Sequence, residues 1–167
     1  MGDRKEISLT HLTGEGHARM VNVGAKEITA RRAHARARVR MSEKTFVALA
    51  SGQTPKGDVL AAARIAGIQA AKRTSELIPL CHAVQLTRVE VEVRLDGGIA
   101  IVDASAEARD RTGVEMEAMV AASAAALTLY DMLKAIDRAM SFDVCLVEKA
   151  GGRSGTWTRE ADPPTDP

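Results

Sequence analysis

Aromatic side chains are scarce in this sequence. Phe46, Phe142, Tyr130 and Trp157 are the only ones in 167 residues, 2% of the chain. That scarcity excludes a core organised by ring stacking and leaves Ala, Val, Leu, Ile and Met to fill the interior, which suits closely approaching helices and a small-residue sheet. Cysteine is nearly absent too. Cys81 and Cys145 stand in unlike contexts with no C-x-x-C pair, which argues against a disulfide framework or a structural zinc site and for a reducing, cytoplasmic setting. Charge of one sign is missing: 23 basic residues balance 22 acidic ones, for a net +1, so no global field for nucleic acid or membrane is expected. No apolar run approaches the ~20 residues of a membrane span. The opening MGDRKEISLTHL has no apolar stretch of the kind a secretion signal needs.

What remains is a globular composition, 46% hydrophobic and 27% charged, of one-domain size. The single domain is taken as residues 1–167, with an N-terminal arm over about 1–25 and a Gly- then Pro-rich, mobile tail over about 150–167. Between them the patterning is strong. Ala33 to Met41 alternates strictly, small or apolar residues against His34, Arg36, Arg38 and Arg40, which predicts a half-buried strand. Ser42-Glu43 opens a short helix to Ala50. Asp58 is the predicted N-cap of an Ala-rich helix running to about Glu76, before Pro79. Thr87 to Leu95 alternates again, Asp96-Gly97-Gly98 signals a hairpin, and Ile99 to about Arg109 returns. A long Ala-rich helix is predicted from Val114 to about Met140, and a last strand from Phe142 to Lys149. The order β-α-β-β-α-β predicts an α+β, ferredoxin-like fold: a four-stranded antiparallel sheet with helices on one face and an extra short helix in the first crossover.

Polar residues gather at the element junctions. Lys56-Gly57-Asp58 lies at a predicted helix start, where free N–H groups and Lys56 suit an anion, although a solvated lysine beside an ordinary cap explains the same residues. Leu80-Cys81-His82 leaves a proline-stopped helix; an imidazole there suits acid–base work or phosphate binding, or is simply a satisfied core histidine. Glu115-Met116-Glu117 opens the long helix, where carboxylates are also ordinary dipole partners. Counted in helical steps, Glu117, Ala121, Ala124, Thr128 and Asp131 share a face, and Lys134 lies within reach of Asp131. Glu117 and Asp131 stand about 21 Å apart along the axis at ~1.5 Å per residue. One small ligand hardly touches both within a subunit, so either a long substrate or a homo-oligomer with shared sites is implied.

Four segments then give the chain a likeness: GEGHARMVNVGAK (14–26), KGDVLAAARIAGIQAAKRTSELIPLCH (56–82), RTGVEMEAMVAASAAALTLYDMLKA (111–135) and KAGGRSG (149–155). Together they resemble the molybdenum cofactor biosynthesis protein C family, the cyclic pyranopterin monophosphate synthases. The resemblance implies a single catalytic domain and a lyase reaction in which 3′,8-cyclo-7,8-dihydro-GTP becomes cyclic pyranopterin monophosphate with release of diphosphate. It implies Asp131, Lys134 and Lys56 as catalytic residues. It implies Leu80, Cys81, His82, Glu115, Met116, Glu117 and Lys149 as substrate-binding residues. It implies a homohexamer, a trimer of dimers with sites between subunits. No cofactor and no protein metal cage is expected; any Mg²⁺ would arrive with the triphosphate. Asn22, Gly24 and Ala83 depart from the family's usual Asp, Ser and Pro.

The same topology is shared by RNA-recognition modules, which stack bases on strand aromatics. Apart from Phe142 the predicted strands carry none. Arg36, Arg38 and Arg40 form a basic row, with Glu90 and Glu92 expected to face it across the sheet. A catalytically silent paralogue is the other alternative.

Overall fold

The computed structural model describes residues 12–160. Its elements are β1 (Thr29–Arg40), α1 (Glu43–Ala50), α2 (Val59–Ala71), α3 (Thr74–Leu77), β2 (Leu86–Asp96), β3 (Ile99–Asp110), α4 (Glu115–Leu133), β4 (Ser141–Ala150) and β5 (Trp157–Thr158). The sheet is antiparallel, in the order β2-β3-β1-β4-β5. Its first four strands have the expected ferredoxin-like arrangement, with helices packed on one face.

Alternation places Ala33, Ala35, Ala37 and Val39 of β1 on the helix side with Val91 and Val93 of β2 and Ala100, Val102, Ala104, Ala106 and Ala108 of β3, all buried. Onto them α4 lays Ala118, Ala121, Ala122, Ala125, Ala126, Leu129 and Leu133. α4 is long and apolar enough to cross a membrane by length and composition alone. Here that composition serves a core: alanine on both surfaces lets helix and sheet approach closely.

α2 packs beside α4 through Gly67. A Cβ at that position would lie 2.9 Å from the Ala121 carbonyl oxygen and 3.0 Å from a Val91 methyl. The helix break that glycine invites is thus traded for contact between two helix backbones.

Several expectations are corrected. The sheet has five strands, because the chain turns at Gly151 and Gly152, both at positive φ, and sends Trp157–Thr158 back along β4. Trp157 and Thr158, within the stretch expected as a tail, thus pair with Lys149 and Glu148; residues 161–167 of that tail and residues 1–11 lie outside the described residues. The long helix ends at Leu133 rather than near Met140. Asp137 accepts hydrogen bonds from the Ser42 and Ala139 amides, tying 134–140 to the start of α1. The Asp58-capped helix ends at Ala71 rather than Glu76. The Arg73 amide closes on Ala70 and the buried Thr74 hydroxyl donates to the Ala71 carbonyl, so a separate turn, α3, follows. β1 begins at Thr29, four residues before the visible alternation. Glu90 and Glu92 share the open sheet face with the β1 arginines, with β3 lying between β1 and β2. Arg36 is paired instead with Asp103, and Arg38 and Arg40 with Asp143.

Gly67→Ala is expected to lower stability by about 1 kcal/mol despite a helix-propensity gain of similar size, because the overpacking cost runs to about 1–3 kcal/mol. Urea unfolding at neutral pH measures it. A stabilised variant would show that α2 and α4 are not in backbone contact.

Candidate active site

The C-terminal end of α4 carries the first cluster. Asp131 faces outward near the helix end, and Lys134 is the helix C-cap, so the i, i+3 spacing brings their side chains together with Nζ 2.6 Å from Oδ1. Lys56 comes from the loop before α2. Gly57, at φ 81°, turns that loop, and Asp58 then caps α2 by accepting from the Ala61 amide. Lys56 Nζ donates to Asp131 Oδ2 at 2.7 Å and to the Asp131 backbone carbonyl at 3.1 Å. One carboxylate thus bridges two ammonium groups, all three about half exposed. The hydrogen bonds and charges of Lys134 and then Lys56 hold the Asp131 carboxyl down at about 2. A hollow of about 450 Å³ opens at the loop before α2, lined by Gly52, Thr54, Gly57 and Asp58 among others.

The N-terminal end of α4 carries the second cluster. Val114 in the N-cap position offers no side-chain acceptor. Glu117, in the first turn, is nevertheless buried, at 3% exposure. Its carboxyl is pushed up chiefly by burial and further by the charges of Glu115 and Asp110, against the pull of its own backbone N–H. Cys81 belongs to the same neighbourhood: burial, then Glu117, then Glu115 raise its thiol, so it stays protonated and is a poor nucleophile. His82 Nε2 lies 2.7 Å from the Val21 carbonyl. A carbonyl only accepts, so Nε2 carries a proton and, in the neutral ring, Nδ1 is left as an acceptor. Leu80 and Met116 are each 37% exposed and Met20 is 52% exposed, an apolar border. Asn22 Oδ1 accepts from the Gly24 amide at 2.8 Å, a local turn that an aspartate makes equally well.

Lys149 reaches this second end through a bulge. The β1–β4 register pairs His34 with Glu148 but Ala35 with Leu146, leaving Val147 unpaired. Ala33, opposite Lys149, faces the helix layer. Without the bulge, period-two alternation would send Lys149 to the other face. Its Nζ donates to Ser154 Oγ and, at 3.1 Å, to the Gly155 carbonyl.

The ten sequence-derived residues thus divide into two groups. Lys56, Asp131 and Lys134 meet at one end of α4; Leu80, Cys81, His82, Glu115, Met116, Glu117 and Lys149 belong to the other. The structure does not unite them in one subunit. Two arginines at the second end were absent from the sequence reading. Arg111 Nε donates to the Lys26 carbonyl at 3.1 Å, holding the N-terminal arm there. Arg31 bonds the Asp110 and Arg111 carbonyls. Starting the first strand at Ala33 hid Arg31. Among the described residues no group of three or more His, Cys, Asp or Glu is placed to hold a metal ion. The hollow of about 420 Å³ on the open sheet face, lined by Arg32, His34, Asp103 and Glu107 among others, contains none of the ten.

Comparison with known proteins follows the same residues. The family model described as the MoaC family matches residues 20–152. A cyclic pyranopterin monophosphate synthase of Thermomicrobium roseum is 57% identical over 157 residues, covering 92% of this chain and 95% of that one. The protein of the same name from Chloroflexus aurantiacus is 53% identical over 154 residues, covering 90% and 94%. That from a Roseiflexus species is 57% identical over 155 residues, covering 91% and 98%.

Two titrations follow from the geometry. Asp131 is depressed, so its ion pairs contribute above the ordinary aspartate range and are lost as pH falls through about 2. Lys134→Ala is expected to raise its NMR titration midpoint more than Lys56→Ala does; the reverse order would contradict the bridge as described. Glu117 is shifted the other way, so its cost to folding grows as pH rises through the carboxylate range. Glu117→Gln is therefore expected to be more stable than the parent at pH 7 and to lose that advantage near pH 4 in urea melts. A variant less stable at both would mean that the carboxylate has a strong partner.

Proposed function

The chain belongs to the MoaC family, and from that premise we propose how its two side-chain clusters share the work of a cyclic pyranopterin monophosphate synthase, a lyase of molybdenum cofactor biosynthesis. The observation that carries the reading is the single Asp131 carboxylate bridging Lys56 and Lys134. Two ammonium groups on one carboxylate leave a local excess of positive charge with unused N–H donors, held in place before any ligand arrives.

That arrangement suits the triphosphate of 3′,8-cyclo-7,8-dihydro-GTP. Closing the cyclic phosphate breaks the bond from the α-phosphorus to the bridging oxygen, and negative charge collects on the departing diphosphate. Lys56 and Lys134 stabilise that charge and supply protons, while Asp131 holds both amines in place. The second cluster suits the guanine-derived ring. Glu115 and Glu117 accept its N–H groups, and burial, which raises the Glu117 carboxyl, suits it to take up and return a proton. His82 offers Nδ1 as an acceptor in its neutral form and a donor once protonated. Lys149 adds a cation, and Leu80, Cys81 and Met116 supply apolar walls. Mg²⁺, where present, enters as part of the substrate.

The two clusters stand about 21 Å apart along α4 at ~1.5 Å per residue. A homohexamer built as a trimer of dimers answers this by setting the N-terminal end of one α4 beside the C-terminal end of another, so each site lies between subunits. A cytoplasmic location fits the two free thiols, Cys81 and Cys145.

Lys56→Ala and Asp131→Ala are each expected to leave a folded oligomer with little diphosphate release from the cyclised dihydro-GTP; near-normal turnover in either would sink the assignment. Mixing Asp131→Ala with Glu117→Gln after subunit exchange is expected to restore roughly a quarter of parental sites, the statistical value for random pairing in a two-fold arrangement. No recovery despite demonstrated exchange would place each site within one subunit.

A further inference from the structure

Arg31 is used by none of the steps above, yet its half-buried guanidinium touches both segments that carry the second cluster. On one side Nε donates to the Asp110 carbonyl and Nη2 to the Arg111 carbonyl, both at 3.3 Å. Those carbonyls sit at the junction of β3 and α4, a few residues before Glu115 and Glu117. On the other side the guanidinium lies against Gly152, where a Cβ would collide with Nη1 and Cζ. A Cβ on Gly151 would likewise collide with the Ala30 carbonyl. Both glycines, at φ 101° and 69°, begin the turn whose Ser154 hydroxyl and Gly155 carbonyl hold the Lys149 ammonium. One planar group therefore joins the turn that grips Lys149 to the junction that launches the α4 carboxylates. Lysine has no equivalent fork, since its point charge cannot bond two carbonyls while lying flat on a glycine.

We propose that Arg31 is a positioning residue of the synthase: it locks the Lys149 turn against the β3–α4 junction and so sets the spacing between the Lys149 ammonium and the carboxylates of Glu115 and Glu117. This rests on the reading that Lys149 and the glutamates face one substrate. Both of these Arg31 hydrogen bonds go to backbone carbonyls, so its effect on turnover passes through the groups that backbone carries.

The experiment is a double-mutant cycle on diphosphate release with Arg31→Ala, Lys149→Ala and the pair, in the full-length oligomer. Arg31→Ala alone is expected to reduce kcat/KM by up to about 10²-fold, the scale of a small misplacement of reacting groups. In the Lys149→Ala background the same change is expected to cost little more, because the group it positions is gone. Full additivity would overturn the proposal. Arg31→Lys, which keeps the charge without the fork, is expected to fall between alanine and arginine; parental kcat/KM in this variant would also overturn it. Amide hydrogen exchange gives a readout independent of turnover. Arg31→Ala is expected to speed exchange at 110–113 and at 151–155 together while the interior of α2 stays protected, and unchanged protection in either segment would overturn the clamp. Parental turnover in Lys149→Ala would instead sink the underlying reading of the site, with the clamp still decided by the exchange result.

Discussion

Contact between alanine surfaces governs this molecule. The buried face of α4 and the facing sheet both consist largely of methyl groups, so the helix lies close to the strands and has little freedom to shift. Gly67 extends the same principle to α2, where one hydrogen in place of a methyl admits the Ala121 carbonyl. Once α4 is fixed in this way, the groups at its two ends are fixed too. Asp131 and Lys134 meet Lys56 because α2 is held alongside; Glu115 and Glu117 meet the 80–82 segment because α3 and its exit loop follow from the end of α2. The interior consists of residues with almost no side-chain freedom to lose, so rigidity there costs little conformational entropy.

The two ends of α4 are electrically opposite, and each runs against expectation. A helix C-terminus disfavours an anion, yet Asp131 stands there; Lys56 and Lys134 more than offset the unfavourable dipole and hold the carboxyl down at about 2. A helix N-terminus favours an anion, yet Glu117 is raised, because burial and the neighbouring Glu115 and Asp110 outweigh both the dipole and the glutamate's own N–H. One carboxylate is exposed and held down by two ammonium groups; the other is buried and pushed up. Environments that push like groups apart in this way separate an electrostatic role from an acid–base role.

Much of this was legible from patterning. Strict alternation gave the strands, Asp96-Gly97-Gly98 gave the hairpin, and Asp58 gave a real cap. The Asp131–Lys134 pair followed from helical spacing alone. What escaped had no periodic signature. The bulge at Val147 is a register event between two strands, and only the pairing partners reveal that it turns Lys149 toward the helix layer. Arg31 lay outside the visible alternation, because β1 is more exposed at its first residues, where apolar side chains are not needed. The end of α4 was overrun because Asp137 satisfies amides outside the helix, a tertiary event hidden in a helix-favouring stretch. Glu90 and Glu92 do share the open face with the arginine row, but which carboxylates pair with it is set by the strands beside β1, whose Asp103 and Asp143 make the contacts.

The balanced charge of the whole chain also acquires a meaning. On the open sheet face Arg32 pairs with Glu148, Arg36 with Asp103, and Arg38 and Arg40 share Asp143; Glu90, Glu92 and Glu107 add carboxylates to the same face, so the basic row seen in the sequence is locally neutralised. That leaves little unpaired charge to attract a nucleic-acid backbone, and the strands offer few rings on which a base could stack. Around Asp131 the balance differs, because one carboxylate serves two lysines and the surplus is positive. At the other end Glu115 and Glu117 supply acceptors beside the Lys149 ammonium, while Arg31 and Arg111 are engaged with backbone carbonyls. On the proposed reading, a substrate with an anionic triphosphate at one end and a donor-rich ring at the other meets both sets of groups only where they are brought together. Since α4 holds them apart within a subunit, the proposed reading makes complementarity to such a substrate a property of two chains, and assembly a part of substrate recognition.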